Sequence, residues 1–186
     1  MKKLLFLLSF LTVFSFTASS QAYDEGVNIF DVGVGFGTAY GGYGYNWGAR
    51  GYGAAIPVSA SFELGFHEYF SAGPYVAFAT RTFGIGTEYR QNFLGIGGKG
   101  SFHYVRILND ALDMDIDEDK LDLYVSVYLG AELYSDNDNN RFDNTTDLDF
   151  GTVVGGRYMV SENFGIYSEL GYAALAVWTI GLSLNM

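Results

Sequence analysis

From Phe30 onward, large apolar residues alternate with small or polar ones, and aperiodic polar or Gly-rich stretches break the alternation at intervals. A period of two marks a strand with one apolar face, because successive strand side chains point to opposite sides. Phe30, Val32, Val34 and Phe36 oppose Asp31, Gly33, Gly35 and Gly37 in a first strand, and Ile56, Val58, Ala60, Phe62, Leu64 and Phe66 form the apolar side of a second. Ala72, Pro74, Val76 and Phe78 give a third, where Pro74, which cannot donate to a ladder, predicts a bulge. The fourth runs from about Asn92 to Val105. The fifth sets Leu121, Leu123, Val125, Val127, Leu129, Ala131 and Leu133 against Asp122, Tyr124, Ser126, Tyr128, Gly130 and Glu132. The sixth is expected over 148–160 and the seventh around Ile166, Leu170 and Tyr172; the last places Trp178, Ile180, Leu182, Leu184 and Met186 on one side.

Between these strands, 38–55, 83–90 and 135–147 are expected as loops, 67–69 and 161–163 as tight turns, and 106–119 as an acidic connection. Eight strands of about ten residues, joined by hairpins, are the sequence pattern of an all-β, eight-stranded antiparallel up-and-down transmembrane β-barrel. A lipocalin-like barrel with its apolar face inside is the soluble alternative. An eight-stranded barrel has an interior only just wide enough for side chains, and the large apolar residues of all these strands would overfill it. The Gly, Ser and Tyr of the opposite face fit a narrow lumen, so the apolar face is expected to meet lipid. The final strand carries no charge and no Pro, and would make a poor free edge in a soluble sheet. Closure also pairs every strand N–H and C=O, which hydrocarbon requires.

Composition narrows the functions. The 186 residues include no Cys, so neither a disulfide framework nor thiolate chemistry is available. Residues 1–22 read as a cleavable signal peptide, with Lys2 and Lys3 before the apolar run Leu4 to Phe16 and Ser20-Gln21-Ala22 at the cleavage site. The mature barrel domain is then 23–186, and losing Lys2 and Lys3 takes the formal charge from −11 to −13. Without a basic stripe, nucleic-acid binding is excluded as a function class.

The string Thr179, Gly181, Leu184 and Met186 resembles the C-terminal signal of bacterial outer-membrane barrels, with Met186 where that family usually carries Phe. Together with Gly155-Gly156-Arg157-Tyr158 and the stretch from Ser161 to Gly171 with its inward Glu169, it makes the chain similar to the small outer-membrane β-barrel family, whose members include porin-like, opacity-type and OmpA-like eight-stranded barrels. The resemblance covers nearly all of the expected mature chain. It implies a bacterial outer-membrane protein with both termini in the periplasm, inserted by the barrel assembly machinery into the lipid bilayer. It also implies no enzyme activity and no cofactor, and a structural or surface-binding role. A small porin-like channel for water, ions or small solutes is the alternative, and a lipid-modifying outer-membrane enzyme is the third reading.

Six inward charges, Glu63, Arg81, Lys99, Glu132, Arg157 and Glu169, are candidates for a network across the lumen, since each would be costly to bury unpaired. Such a network either plugs the barrel or forms a gate. Asp136, Asp138, Asn140, Asp143 and Asp147 have the spacing of a calcium loop, but Arg141 stands at its Gly position and Asp147 at its Glu position, so a solvated acidic loop is expected. Asp113, Asp115 and Asp117 open in the same way without a continuation. Ser101 and His103 share a face, as a Ser and a His do in some lipid-deacylating barrels, but they point into the lumen with no oxyanion donor to place beside them. The Tyr- and Gly-rich loop 38–55, with Trp47 and Arg50, is a candidate contact for an extracellular ligand.

Overall fold

The computed structural model describes residues 22–37, 56–83, 89–136 and 145–186. Eight strands close into one antiparallel barrel in sequence order, with β1 paired to β8. They are β1 (Asn28–Phe36), β2 (Val58–His67), β3 (Phe70–Phe83), β4 (Tyr89–His103), β5 (Leu121–Asp136), β6 (Thr145–Ser161), β7 (Phe164–Ala173) and β8 (Ala176–Asn185).

The alternation read from the sequence becomes an alternation of exposure. In β1, Ile29, Asp31, Gly33 and Gly35 are buried while Val32, Val34 and Phe36 are exposed. Outward side chains in the other strands are equally bare, with Leu129 at 61 %, Leu170 at 64 % and Phe66 at 61 % exposure. An apolar surface circling the whole barrel exceeds any patch a soluble monomer tolerates, so the outer face is the lipid face. Aromatic residues band both rims. Phe36 and Trp178 are register partners with rings 5.4 Å apart at one end. At the other, Phe70 and Phe102 are 5.2 Å apart, and Phe102 and Tyr104 6.4 Å.

Three expectations need correction. Pro74 makes no bulge: Ser61↔Tyr75 and Leu64↔Ala72 hold one register, and the β2–β3 shift lies at Gly65/His67, next to the turn. The missing N–H interrupts the ladder locally while Pro74 keeps its place opposite Gly98 of β4. Secondly, two ladders run into segments expected as loops: β3 and β4 pair as far as Phe83↔Tyr89, within 83–90, and β5 and β6 pair Glu132↔Asp147 and Tyr134↔Thr145, within 135–147, because a ladder outside hydrocarbon can carry polar side chains on both faces. Thirdly, the acidic connection contains a helix, α1 (Val105–Leu112), which ends at Asp113 in the left-handed region. Val105 is buried under it, and the Asn109 side chain holds the returning strand of chain, accepting from Ile116 N at 3.0 Å and donating to Glu118 Oε1 at 2.7 Å.

Inside, buried side chains of the described residues occupy the lumen in two groups, one charged and one apolar. Glycines make room for tyrosines across the barrel: a Cβ on Gly155 would fall 2.4 Å from the Tyr124 ring, and one on Gly33 2.3 Å from the Tyr167 hydroxyl. Towards the end away from the termini, Tyr75, Ala77, Ala79, Phe93, Tyr128 and Val153 pack with Leu175. Ala174 and Leu175 form the β7–β8 turn with φ of 49° and 67°, the positive pair that a two-residue hairpin demands, and Leu175 is 1 % exposed.

Candidate functional site: the buried charge network of the lumen

The charges gather between mid-barrel and the end where the two described chain ends meet. Lys99 on β4 is their hub, with Nζ 2.8 Å from Glu169 Oε1, 2.9 Å from Glu63 Oε1 and 3.6 Å from Asp31 Oδ2. Arg157 on β6 reaches Asp31 Oδ2 at 3.0 Å and donates through Nη1 to Asp122 on β5. Glu169 also accepts from Tyr124 at 3.1 Å and from Tyr128 at 2.9 Å, and Glu63 from Ser71 at 2.7 Å and Ser101 at 2.5 Å. Lys99 lies 5.3 Å and Arg157 5.1 Å from the centre of the Tyr124 ring. Every one of these charged groups is at most 5 % exposed. Burial raises the cost of each charge, and the many close, hydrogen-bonded partners offset it.

Of the six expected charges, Glu63, Lys99, Arg157 and Glu169 come together. Glu132 is buried further along the lumen, on the β5 stretch that pairs with Asp147. Arg81 is in β3 opposite Gln91, and its side chain lies outside the described residues. The sequence reading omitted Asp31, Asp122 and His103 from the set. Their positions on the inward faces of β1, β4 and β5 were the available signal, since every inward titratable group of a closed barrel shares one narrow space.

His103 does not pair with Ser101. Its Nδ1 faces Asp122 Oδ1 at 2.8 Å and Oδ2 at 3.0 Å, and its Nε2 faces Ser71 Oγ at 2.9 Å, while Ser101 contacts Ser126 at 2.7 Å. Ser71, His103 and Asp122 thus follow the order of nucleophile, base and orienting acid. The Ser71 proton, however, is directed to Glu63, and the three side chains are 2 %, 4 % and 2 % exposed.

Residues 22–27 cross this end of the barrel. The Tyr23 ring stacks on His103 at 3.4 Å with an interplanar angle of 6°, and its hydroxyl donates to His67 O at 2.8 Å. Burial, with Asp122, Glu63 and Asp24 nearby, pushes the Tyr23 phenol well above its usual range, which keeps it a donor. Outside the strap, Arg106 of α1 meets Glu68 at 3.0 Å and Asp24 and Glu118 at 3.5 Å. Partial burial opposes the charge of Arg106, and these carboxylates outweigh it, holding the guanidinium above its ordinary value.

The expected insertion signal lies along β8: Thr179 and Gly181 face inward beside Glu169 and Tyr167, their β7 partners, and Leu184 faces lipid beside Phe164. Met186 exchanges backbone hydrogen bonds with Asn28, at 2.8 and 3.1 Å, and so closes the β1–β8 seam. Of the acidic spacing read as a calcium loop, 137–144 lie outside the described residues, and Asp147 is exposed in β6. Asp113, Asp115 and Asp117 follow α1 on exposed chain; among the described residues no group of three or more potential ligands is placed to hold a metal. The loop 38–55 lies outside the described residues as well.

No protein-family model matches the chain, and no curated protein sequence does. Solved structures similar to it include the attachment invasion locus protein Ail of Yersinia pestis, 14 % identical with a TM-score of 0.51, covering 87 % of this chain and 99 % of that one. Ail in complex with the heparin analogue sucrose octasulfate aligns at 16 % identity and a TM-score of 0.50, with 87 % and 99 % coverage. The N-terminal β-barrel domain of Pseudomonas aeruginosa OprF aligns at 14 % identity and 0.46, with 88 % and 98 % coverage. The chain has the fold of the eight-stranded outer-membrane barrels.

Proposed function

We propose that this outer-membrane barrel is a non-enzymatic envelope protein with a plugged lumen, acting through its rigid wall and its outward loops. The observation that carries this reading is the filling of the lumen. One half holds the Lys99 and Arg157 network and the other the Leu175 cluster, and a lumen occupied in this way by the described residues is expected to pass neither ions nor solutes. The direction of the Ser71 proton and the burial of His103 beneath Tyr23 argue against acyl transfer. The mature chain starts at Tyr23 after removal of residues 1–22, both termini are periplasmic, and the barrel assembly machinery recognises Thr179, Gly181, Leu184 and Met186.

On that orientation the segments 38–55, 84–88 and 137–144 face outside. Tyr40, Tyr43, Tyr45, Trp47 and Tyr52 make the first a surface for stacking. Ail has been seen in complex with the heparin analogue sucrose octasulfate, whereas a mature chain of formal charge −13, the −11 of the whole sequence less Lys2 and Lys3, suits a neutral or cationic ligand better than a polyanion.

The test is conductance of the refolded mature chain in a planar bilayer. A folded but silent barrel is expected. Discrete conductance steps that change when Glu132 or Lys99 is substituted would overturn the plug and make the protein a channel.

A further inference from the structure

The helix α1 has two sides of different character. At about 3.6 residues per turn, Val105, Arg106 and Asn109 fall on one arc, and Ile107, Leu108, Ala111 and Leu112 on the other. The first arc meets the rest of the protein. Val105 is buried, Arg106 pairs with Glu68, Asp24 and Glu118 around the mouth of the lumen, and Asn109 holds Ile116 and Glu118. The second arc is bare among the described residues: Val105 is the one buried residue of the helix, Ile107 is 36 % and Leu112 64 % exposed, and Met114 just beyond the helix is 44 % exposed. A helix of eight residues, with no side-chain cap at Tyr104, no acid in its first turn and no base in its last, is marginal in water. Cover for its apolar arc is the support it lacks.

That arc continues the lipid face of the barrel. Phe70 and Phe102 on the outer rim, 5.2 Å apart, lead to Tyr104, whose ring is 6.4 Å from Phe102 and which starts the helix. Arg106 and Asn109 are turned to the lumen mouth and to the chain returning to β5. The opposite arc therefore points away from the barrel axis, at the level where hydrocarbon gives way to headgroups. Charge selects the kind of surface. Arg106 is engaged by carboxylates of the protein, while Asp110, Asp113 and Asp115 stay exposed. A strongly anionic leaflet would repel them, and a zwitterionic phospholipid would not.

We propose that α1 is an interfacial helix, docked through Ile107, Leu108, Ala111 and Leu112 on the phospholipid leaflet at the end of the barrel where the chain ends lie. On the orientation proposed above this is the periplasmic leaflet. Such helices lie in the plane of the interface, with the apolar face about 5–10 Å into the boundary between headgroups and acyl chains. A free peptide this short and acidic would bind weakly, but the barrel already holds α1 at the surface, so the contact is intramolecular in character. Docking also fixes α1 against the rim and keeps Arg106 over Glu68 and Asp24. It depends neither on whether the lumen conducts nor on which way the chain ends face.

The chain has no Cys, so single cysteines take a nitroxide label without competition. Ile107→Cys, Leu112→Cys and Asp110→Cys are labelled in the full mature barrel in phosphatidylcholine nanodiscs, with heat-dependent gel mobility as the check on folding. Leu170→Cys, at a position 64 % exposed on the belt, is the lipid reference. Collisions with oxygen, which partitions into hydrocarbon, are compared with collisions with a water-soluble nickel chelate. Oxygen should dominate at Ile107 and Leu112, as at Leu170, and nickel at Asp110. Nickel dominating at Ile107 and Leu112 would overturn the proposal, and so would labels shielded from both reagents, as beneath a second copy of the chain. Without labels, Ile107→Asp should lower hydrogen-exchange protection of 105–112 by about tenfold or more, because it returns a marginal helix to water. Ile107→Leu should match wild type, and β4 and β5 amides should stay protected in both. Unchanged protection in Ile107→Asp would mean that the site already faces water, and would overturn the docking as well.

Discussion

Arg157 on β6 donates through Nη2 to Asp31 on β1 at 3.0 Å, joining residues 126 apart in the chain across the barrel interior. With Lys99, which contacts Asp31, Glu63 and Glu169, this ties β1, β2, β4, β6 and β7 to one another independently of the ladder. Removing one member leaves its partners charged and buried.

Lys99→Met is therefore expected to cost about 3 kcal/mol or more of stability, the range found when one side of a buried pair is removed. Adding Glu169→Gln should recover part of the loss. Urea titration of the refolded barrel, followed by heat-dependent gel mobility, measures both, and unchanged stability in Lys99→Met would remove the network as a structural element.

Gly155 is expected to tolerate no side chain, because its Cβ would sit 2.4 Å from the Tyr124 ring. Gly155→Ala should lose about 1–3 kcal/mol by overpacking. Tyr124→Leu, made in the Gly155→Ala background, should cost less than Tyr124→Leu made alone. Additive losses in a double-mutant cycle would mean that the two residues do not compete for space.

Lipid contact makes a graded prediction along β6. Val154 lies mid-strand at 55 % exposure and Leu148 near the strand's start at 90 %. Val154→Arg should cost about 2–4 kcal/mol in refolding into phosphatidylcholine vesicles, and Leu148→Arg about 0–1 kcal/mol. Equal costs would contradict the placement of the apolar belt.

At the end of β8, Met186→Asp should lower the amount of assembled barrel in cells, while refolding of the purified chain into detergent stays close to wild type. Met186→Phe should assemble at least as well as wild type. A parallel loss in cells and in detergent would mean that Met186 serves the β1–β8 seam, through its bonds to Asn28, and not recognition.

The sequence alone determined which face of each strand is apolar, and hence an all-β barrel with lipid outside and Gly, Ser, Tyr and charge within. That information is local, since strand alternation needs only neighbouring residues. It missed α1 because the helix is eight residues long, lacks a side-chain N-cap at Tyr104 and rests on tertiary supports such as buried Val105 and the Asn109 bonds to Ile116 and Glu118. Only the tertiary structure decided which inward groups meet. Barrel closure and strand stagger set that, placing Asp31 at Arg157, His103 between Ser71 and Asp122, and Tyr23 over the ring. Register is a property of paired strands, so no single segment of the chain carries it.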